Sequence, residues 1–433
     1  MISVPGSKLS PVRLRFSPDI PSRTGTHAFT GLRQHGPYDS SELNLRDGSL
    51  LFVFPSSEQA LARRLANALL KGVGSYPGFA HLFKVSVPSG NALKSLKVDT
   101  NVTNLRSAGK GYRDAIAEWS AASDHQEPDV AIVLVPRTER FEVHTPYYEA
   151  KAAFAQLAIP TQMVSAELLR DETQFQWSVA NIALAIFAKL GGIPWAVEAP
   201  EDNDLIVGIG RADVGRNGGR ERHFGYAVTF VSNGIYRQTW SFTPTSDDAL
   251  YEQRLQEAIE GALRADLDQS PPRLIIHLAK QAGKREIEAA QRAMTAAGME
   301  VPVAFLRLDD SSLHDIADTD TATFAPPKGL VAKLGARRAL LQTEELGALG
   351  PPNGPLLVAM DHRSTVPEAD FDRLIAQAFR LAHANWRGFN AQSKPATLVY
   401  GEQLASLVGH LQDVETWNPD LLRSELRTRP WFL

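Results

Sequence analysis

Six consecutive apolar residues in Asp129-Val-Ala-Ile-Val-Leu-Val135 leave this part of the chain few places to go. A strand apolar on both faces belongs inside a sheet covered on both sides, which is the condition of parallel strands flanked by helices. The preceding sequence agrees. Leu50-Leu-Phe-Val-Phe54 reads as a second buried strand, and an Ala/Leu/Arg helix follows from about Ser57 to Lys71. Leu82 to Val87 reads as a strand and Gly111 to Ala122 as a helix. With helices expected around Tyr147 and Lys189, the pattern is a βαβα repeat of Rossmann-like layout, with any ligand expected beyond the carboxyl ends of the strands.

Pro194 to Asn203 reads as a connector, after which the pattern changes. Leu205–Ile209, Gly225–Val231 and Ile235–Phe242 are adjacent strands, followed by a helix from about Asp247 to Ala265 and a strand Arg273–His277. Three antiparallel strands, a helix and a parallel strand are the order of an RNase H fold. The chain is therefore read as α/β with two units, 46–195 and 196–433, behind an irregular N-terminal extension at 1–45 rich in Pro, Ser and Arg. The Asp-, Ser- and Thr-rich stretch Asp309–Lys328 reads as a loop.

At 433 residues there is room for two ordinary cores, and the net charge of -4 counts only weakly against nucleic acid, because a basic channel can sit on an acidic body. With no cysteine, thiolate metal sites and disulfides are excluded. No export signal precedes Met1-Ile-Ser-Val-Pro, and the best apolar run contains Asn181 and ends at Lys189, too short and polar to span a bilayer. A cytoplasmic protein is expected, with no membrane partner.

Four residues carry phosphate-seeking chemistry. Tyr147 and Lys151 are four apart and share a helix face. Gln162 follows Ile-Pro-Thr at a strand entry, where its amide would stand at a loop edge. Lys189 ends the nearly uncharged stretch Val179–Leu190, where an ammonium is costly without a partner. Taken singly, each has an ordinary reading: a helix pair, a lysine that reaches water, a surface amide. A ring, an amide and two ammonium groups together suit a terminal nucleotide, the ring for its base and the cations for its phosphate.

In that order the four resemble the guide-end pocket of the MID domain in short prokaryotic Argonautes. Further blocks resemble the family in the same order: Gly31-Leu-Arg-Gln-His-Gly-Pro-Tyr38 its N-terminal signature, Lys189-Leu-Gly-Gly-Ile-Pro-Trp195 the MID–PIWI junction, and Asn385-Trp-Arg-Gly-Phe389 with Arg429-Pro-Trp-Phe-Leu433 the PIWI end. The resemblance covers most of the chain and is nearest to small archaeal members without a PAZ domain. It implies a Rossmann-like MID domain before an RNase H-like PIWI domain, a 5′-phosphorylated guide strand (RNA) and a complementary single-stranded DNA target. It also implies a separate APAZ-containing effector protein, a TIR, Sir2 or nuclease, that the complex activates against plasmids and phage. Arg387 is expected on the guide backbone. In the family the terminal carboxylate, here of Leu433, helps hold Mg²⁺ against the guide phosphate, although Ala185 stands where a second ligand, a glutamine, would be.

The nuclease carboxylates are missing from their places. Slicing members end the first PIWI strand on an aspartate, where this chain has Ile206-Val-Gly-Ile-Gly210; Asp213 falls three residues later, as if on a turn. After Ile275-Ile-His277 come Leu278, Ala279 and Lys280, whose lysine would oppose a metal. Glu402 alone does not hold a metal pair. The glycines at 208, 210, 215, 218 and 219 lack the Lys-Ser/Thr of a P-loop and read as a β-turn region. Arg13, Arg15, Arg216, Arg220 and Arg222 are candidates for a backbone channel, and the histidines have no metal-site spacing. No catalytic residue is expected. Two other readings stay open: an active guided endonuclease whose ligands align differently, with Asp213 the candidate, and a plain Rossmann-type nucleotide binder.

Overall fold

The computed structural model describes residues 3–433 except 44, 47, 88–92, 123–126, 139–141, 200–202, 217–218, 246–247, 266–269, 312, 346–353, 419–421 and 423, and the side chains of 211, 213–227 and 241–248. The N-terminal segment is more ordered than its composition implies. It forms strands β1 (Gly6–Lys8), β2 (Leu14–Arg15) and β3 (Thr24–Gly25) and helix α1 (Ala28–His35). Phe16, fully buried, lies so close to Gly31 of α1 that any Cβ there would overlap its ring.

The first unit runs β4 (Leu50–Pro55), α2 (Gln59–Lys71), α3 (Phe79–Phe83), β5 (Lys94–Val98), α4 (Leu105–Ala121), β6 (Val130–Val135), α5 (Pro146–Gln156), β7 (Thr161–Ser165), α6 (Ala166–Arg170) and α7 (Glu172–Lys189). Its strands pair in the order β5-β4-β6-β7, all parallel. β4 and β6 are buried along their whole length, as their apolar runs require. The strand expected at 82–87 is not there. Leu82 and Phe83 are instead buried in α3, where Phe83 stacks on Phe187 of α7. The strand that occupies the place is β5, a mostly exposed edge whose polar sequence gives no apolar signal.

A short strand β8 (Ala196–Val197) pairs with β2, and then comes the meander β9 (Leu205–Arg216), β10 (Gly219–Val231) and β11 (Tyr236–Thr245). Helix α8 (Asp248–Arg264), strand β12 (Leu274–Leu278), helix α9 (Lys284–Ala297) and strand β13 (Val303–Asp309) follow, with β12 parallel to both β9 and β13. β14 (Leu330–Gly335), β15 (Arg338–Leu341) and β16 (Leu356–Met360) extend the sheet, and β1 closes its edge against β14. The described residues between β13 and β14 carry no helix or strand, as expected. Helices α10 (Phe371–Leu381), α11 (Ala396–Leu411) and α12 (Ser424–Arg427) complete the chain. α8 and α9 cover one face of this nine-stranded sheet, and α10 and α11 cover the other. The architecture is α/β, a Rossmann-like parallel sheet followed by an RNase H-like sheet.

The glycine-rich stretch is strand for most of its length, with Gly219 opening β10 where the chain reverses against Arg216 and Gly218 outside the described residues. Gly208, Gly210 and Gly215 are inside β9 rather than on a turn, and Asp213 lies within the same strand; its side chain, like those of Arg216, Arg220 and Arg222, is outside the described residues. The glycines serve close packing. A Cβ at Gly210 would overlap the Gly401 backbone of α11, and one at Gly208 would overlap the Thr397 carbonyl.

Candidate functional site

α7 begins where Asp171 accepts a hydrogen bond from the Gln174 backbone, and ends where Gly191 takes a positive φ of 94° that a side chain would resist. That stop sets Lys189 as the last helical residue. Its ammonium is buried and donates to Oε1 of Gln162 at 2.6 Å and to the main-chain oxygen of Leu433. Gln162 is the second residue of β7, so its amide is held by a strand rather than a loop edge.

On α5, started by Pro146 in the first turn, Lys151 is also buried; among the described residues it donates one hydrogen bond, at 3.4 Å, to the carbonyl of Thr161. Burial, and next the Arg387 guanidinium, push the Lys151 ammonium down to about 7. Lys189 is held well below the usual lysine range by burial, then by Lys151 and Arg387. Three cations thus stand within electrostatic reach of each other. Two are out of water, an arrangement that an entering anion relieves.

The residues predicted from sequence are therefore brought together: Lys151, Gln162, Lys189 and Leu433 by contact or shared neighbours, and Arg387 by its charge. Tyr147, one turn before Lys151, is half-buried, edge-on to Tyr148 at 5.0 Å, and Tyr148 stacks on His410 of α11. The cluster differs from expectation in place. It lies at the start of edge strand β7 and the C-terminal end of α7, not beyond the carboxyl ends of the strands. The seam around it is well anchored. Trp386 donates its indole N–H to the Trp195 carbonyl and its backbone N–H to the Tyr400 hydroxyl, while Arg387 stays exposed. Trp431 stacks on Trp417, and Phe432 meets Tyr400 edge-on, so the aromatics before Leu433 are buried as their composition requires.

At the expected acidic place at the end of β12 the residue is apolar. Leu278 is buried in the α8/α9 core, and His277, which faces α11, is held by the Thr397 hydroxyl at 2.8 Å with its other nitrogen unpartnered. Burial pushes His277 down to about 3, so it is neutral. Lys280 pairs with Glu286 at 2.7 Å at the start of α9. Glu402 is paired with Lys394, which also reaches Asp310 at 3.2 Å. That ammonium sits where two carboxylates converge, a meeting of residues distant in the chain that no local pattern signals. Among the described residues no three His, Asp or Glu side chains gather as metal ligands, and no helix is long and apolar enough to cross a membrane.

A parallel Rossmann-like sheet feeding an RNase H-like sheet, with a helix between them that ends in a buried cationic cluster, is the architecture of a MID–PIWI fold. The Piwi domain family matches residues 132–296, from β6 into α9. The protein argonaute of Cereibacter sphaeroides is 24% identical over 446 residues, covering 95% of this chain and 57% of that protein. The Piwi protein of Archaeoglobus fulgidus is 23% identical over 317 residues, covering 67% of this chain and 73% of its own. Drosophila Piwi superposes with a TM-score of 0.71 at 16% identity, covering 99% of this chain and 56% of that one. Clostridium butyricum Argonaute bound to a guide DNA and a 19-mer target DNA gives 0.67 at 18%, covering 94% and 53%. The chain is thus similar to Argonaute and Piwi proteins over most of its length, and spans little more than half the length of the first of these relatives.

Proposed function

We propose that this chain is a short prokaryotic Argonaute that binds the 5′-phosphorylated end of a guide strand and presents the guide for pairing, without cutting the target. One observation carries the proposal: two buried lysines, Lys151 and Lys189, converge with Gln162 at one point, and among the described residues neither pairs with an Asp or Glu side chain, Lys189 meeting Gln162 and the main-chain oxygen of Leu433 instead. A terminal phosphate supplies the charge they lack, and Tyr147 supplies a ring for the first base. Arg387 stands at the same seam to take a backbone phosphate. Base pairing then reads the sequence while the protein holds the backbone.

The donor set does not fit a divalent ion. The oxygens of Gln162 and Leu433 both accept from the Lys189 ammonium, and Ala185 offers no ligand. A hard cation wants six or more oxygens, so the phosphate's charge is assigned to the ammonium groups and no step runs through Mg²⁺. Absence of cutting rests on packing: the backbone of α11 fills the space where a side chain at Gly210 would project, and Leu278 faces the core. The killing step of the defence reading is assigned to an APAZ-containing effector, with an RNA guide, a DNA target and a cytoplasmic setting.

Guide-loaded protein, incubated with a complementary labelled DNA strand and Mg²⁺ or Mn²⁺, should retain that strand on a filter and leave it intact. A single cut opposite the middle of the guide would contradict the non-cutting half of the proposal.

A further inference from the structure

Lys189, Ala185, Asn181 and Trp177 recur every four residues along α7, a row that winds about 40° per step and so about a third of the way round the helix from Lys189 to Trp177. The row is graded. Lys189 and Ala185 are buried, Asn181 is exposed, and Trp177 is 75% exposed. It is a ramp leading out of the cationic cluster. Its far wall is known at one level: the side-chain oxygen of Asn181 lies 3.8 Å from where a Cβ on Gly388 would stand, and Gly388 adjoins Arg387. A strand held by its end at Lys189 and passing Arg387 therefore meets Asn181, and one turn later the indole of Trp177.

Exposure of a large aromatic to this degree is unusual in a folded domain. Among the described residues, no hydrogen bond or ring contact involves Trp177. Phe175 two residues earlier is buried under Arg64, so the helix has already used its apolar face against α2. Trp177 points away from that face. Twelve residues of helix separate it from Lys189, about 18 Å at the usual rise. At roughly 3.4 Å per stacked nucleotide, this corresponds to about the fifth nucleotide of a bound strand.

We propose that Trp177 is a second base-stacking station for the guide, placed within its first five or so nucleotides and independent of the end pocket. The inference rests on the guide-binding reading above. A base on an indole face is recognised without regard to sequence, so the station fixes the strand's path rather than its identity.

The test uses 5′-phosphorylated guides carrying 2-aminopurine at positions 2 to 7 in turn, bound to the wild-type protein, Trp177→Ala and Trp177→Phe. Quenching is expected to peak at one position, to persist in Trp177→Phe and to vanish in Trp177→Ala. Affinity for guides of 15 nucleotides or more should fall about tenfold in Trp177→Ala, while a 5′-phosphorylated dinucleotide binds as before. A wild-type protein with no preference for 5′-phosphate over 5′-hydroxyl would sink the guide-end reading and this inference with it. If the preference is present but quenching and affinity are the same in Trp177→Ala, the station alone is wrong.

Discussion

Lys151 is the residue on which the chemistry turns. Free lysine titrates near 10.5 and the buried ammonium near 7, so between these values the unfolded chain binds more protons than the native one. Stability from this group is therefore fully present only above about pH 10.5 and is lost as pH falls toward 7. Lys151→Met should raise stability on the order of 1–3 kcal/mol near pH 6 and much less near pH 10, as urea denaturation at both values would reveal. An equal effect at both would mean that the ammonium is already solvated. Binding a phosphate should restore the charge, so calorimetry near pH 8 in buffers of different ionisation heat should report proton uptake with 5′-phosphate guides, and a smaller uptake in Lys151→Met, where Lys189 alone remains to be charged. Lys189 was legible in the sequence because an apolar helix cannot carry a lysine cheaply. Lys151 was not legible as buried, since its helix α5 has small residues on every side and no polar face to compare.

Among the elements, α11 and β9 decide most. Gly208, Gly210 and Gly401 let a helix and a strand meet backbone to backbone, an approach that a pattern of glycines in sequence does not separate from a turn. Gly210→Ala should cost about 2–3 kcal/mol through overpacking, and Gly210→Asp should unfold earlier still without gaining cleavage. Thermal melts and a cleavage assay on the soluble fraction read both; a stable, cutting Gly210→Asp would overturn the packing account. His277 is held in the same layer. Its folded value near 3 lies below the ordinary 6.5, so it contributes stability above pH 6.5 that is lost as pH falls toward 3. The loss should be on the order of 2 kcal/mol from pH 6.5 to 5, and His277→Asn, which can still meet Thr397, should flatten that slope in denaturation curves. Apolar strands such as β6 were plain in the sequence because burial on both faces writes itself in composition. β5 and β1 were not, because edge strands are specified by their neighbours' hydrogen bonds and tolerate polar residues.

Over the whole molecule, the order of elements was readable and the meeting of distant segments was not. Arg387, Leu433 and Lys189 are separated by the entire PIWI sheet in sequence and share one seam in space, a relation that only the resemblance to a family supplied beforehand. At this scale a chelator is informative: with the ammonium groups carrying the phosphate's charge, EDTA should leave guide affinity within about twofold, whereas a large loss would place a divalent ion in the pocket. The most direct measurement compares 5′-phosphate with 5′-hydroxyl guides of one sequence on wild-type protein and on Lys151→Ala with Lys189→Ala. Two charge-assisted contacts of about 1.5–3 kcal/mol each predict a preference for phosphate of well over tenfold, falling to about twofold or less in the double variant. A double variant that keeps the wild-type preference would contradict the account.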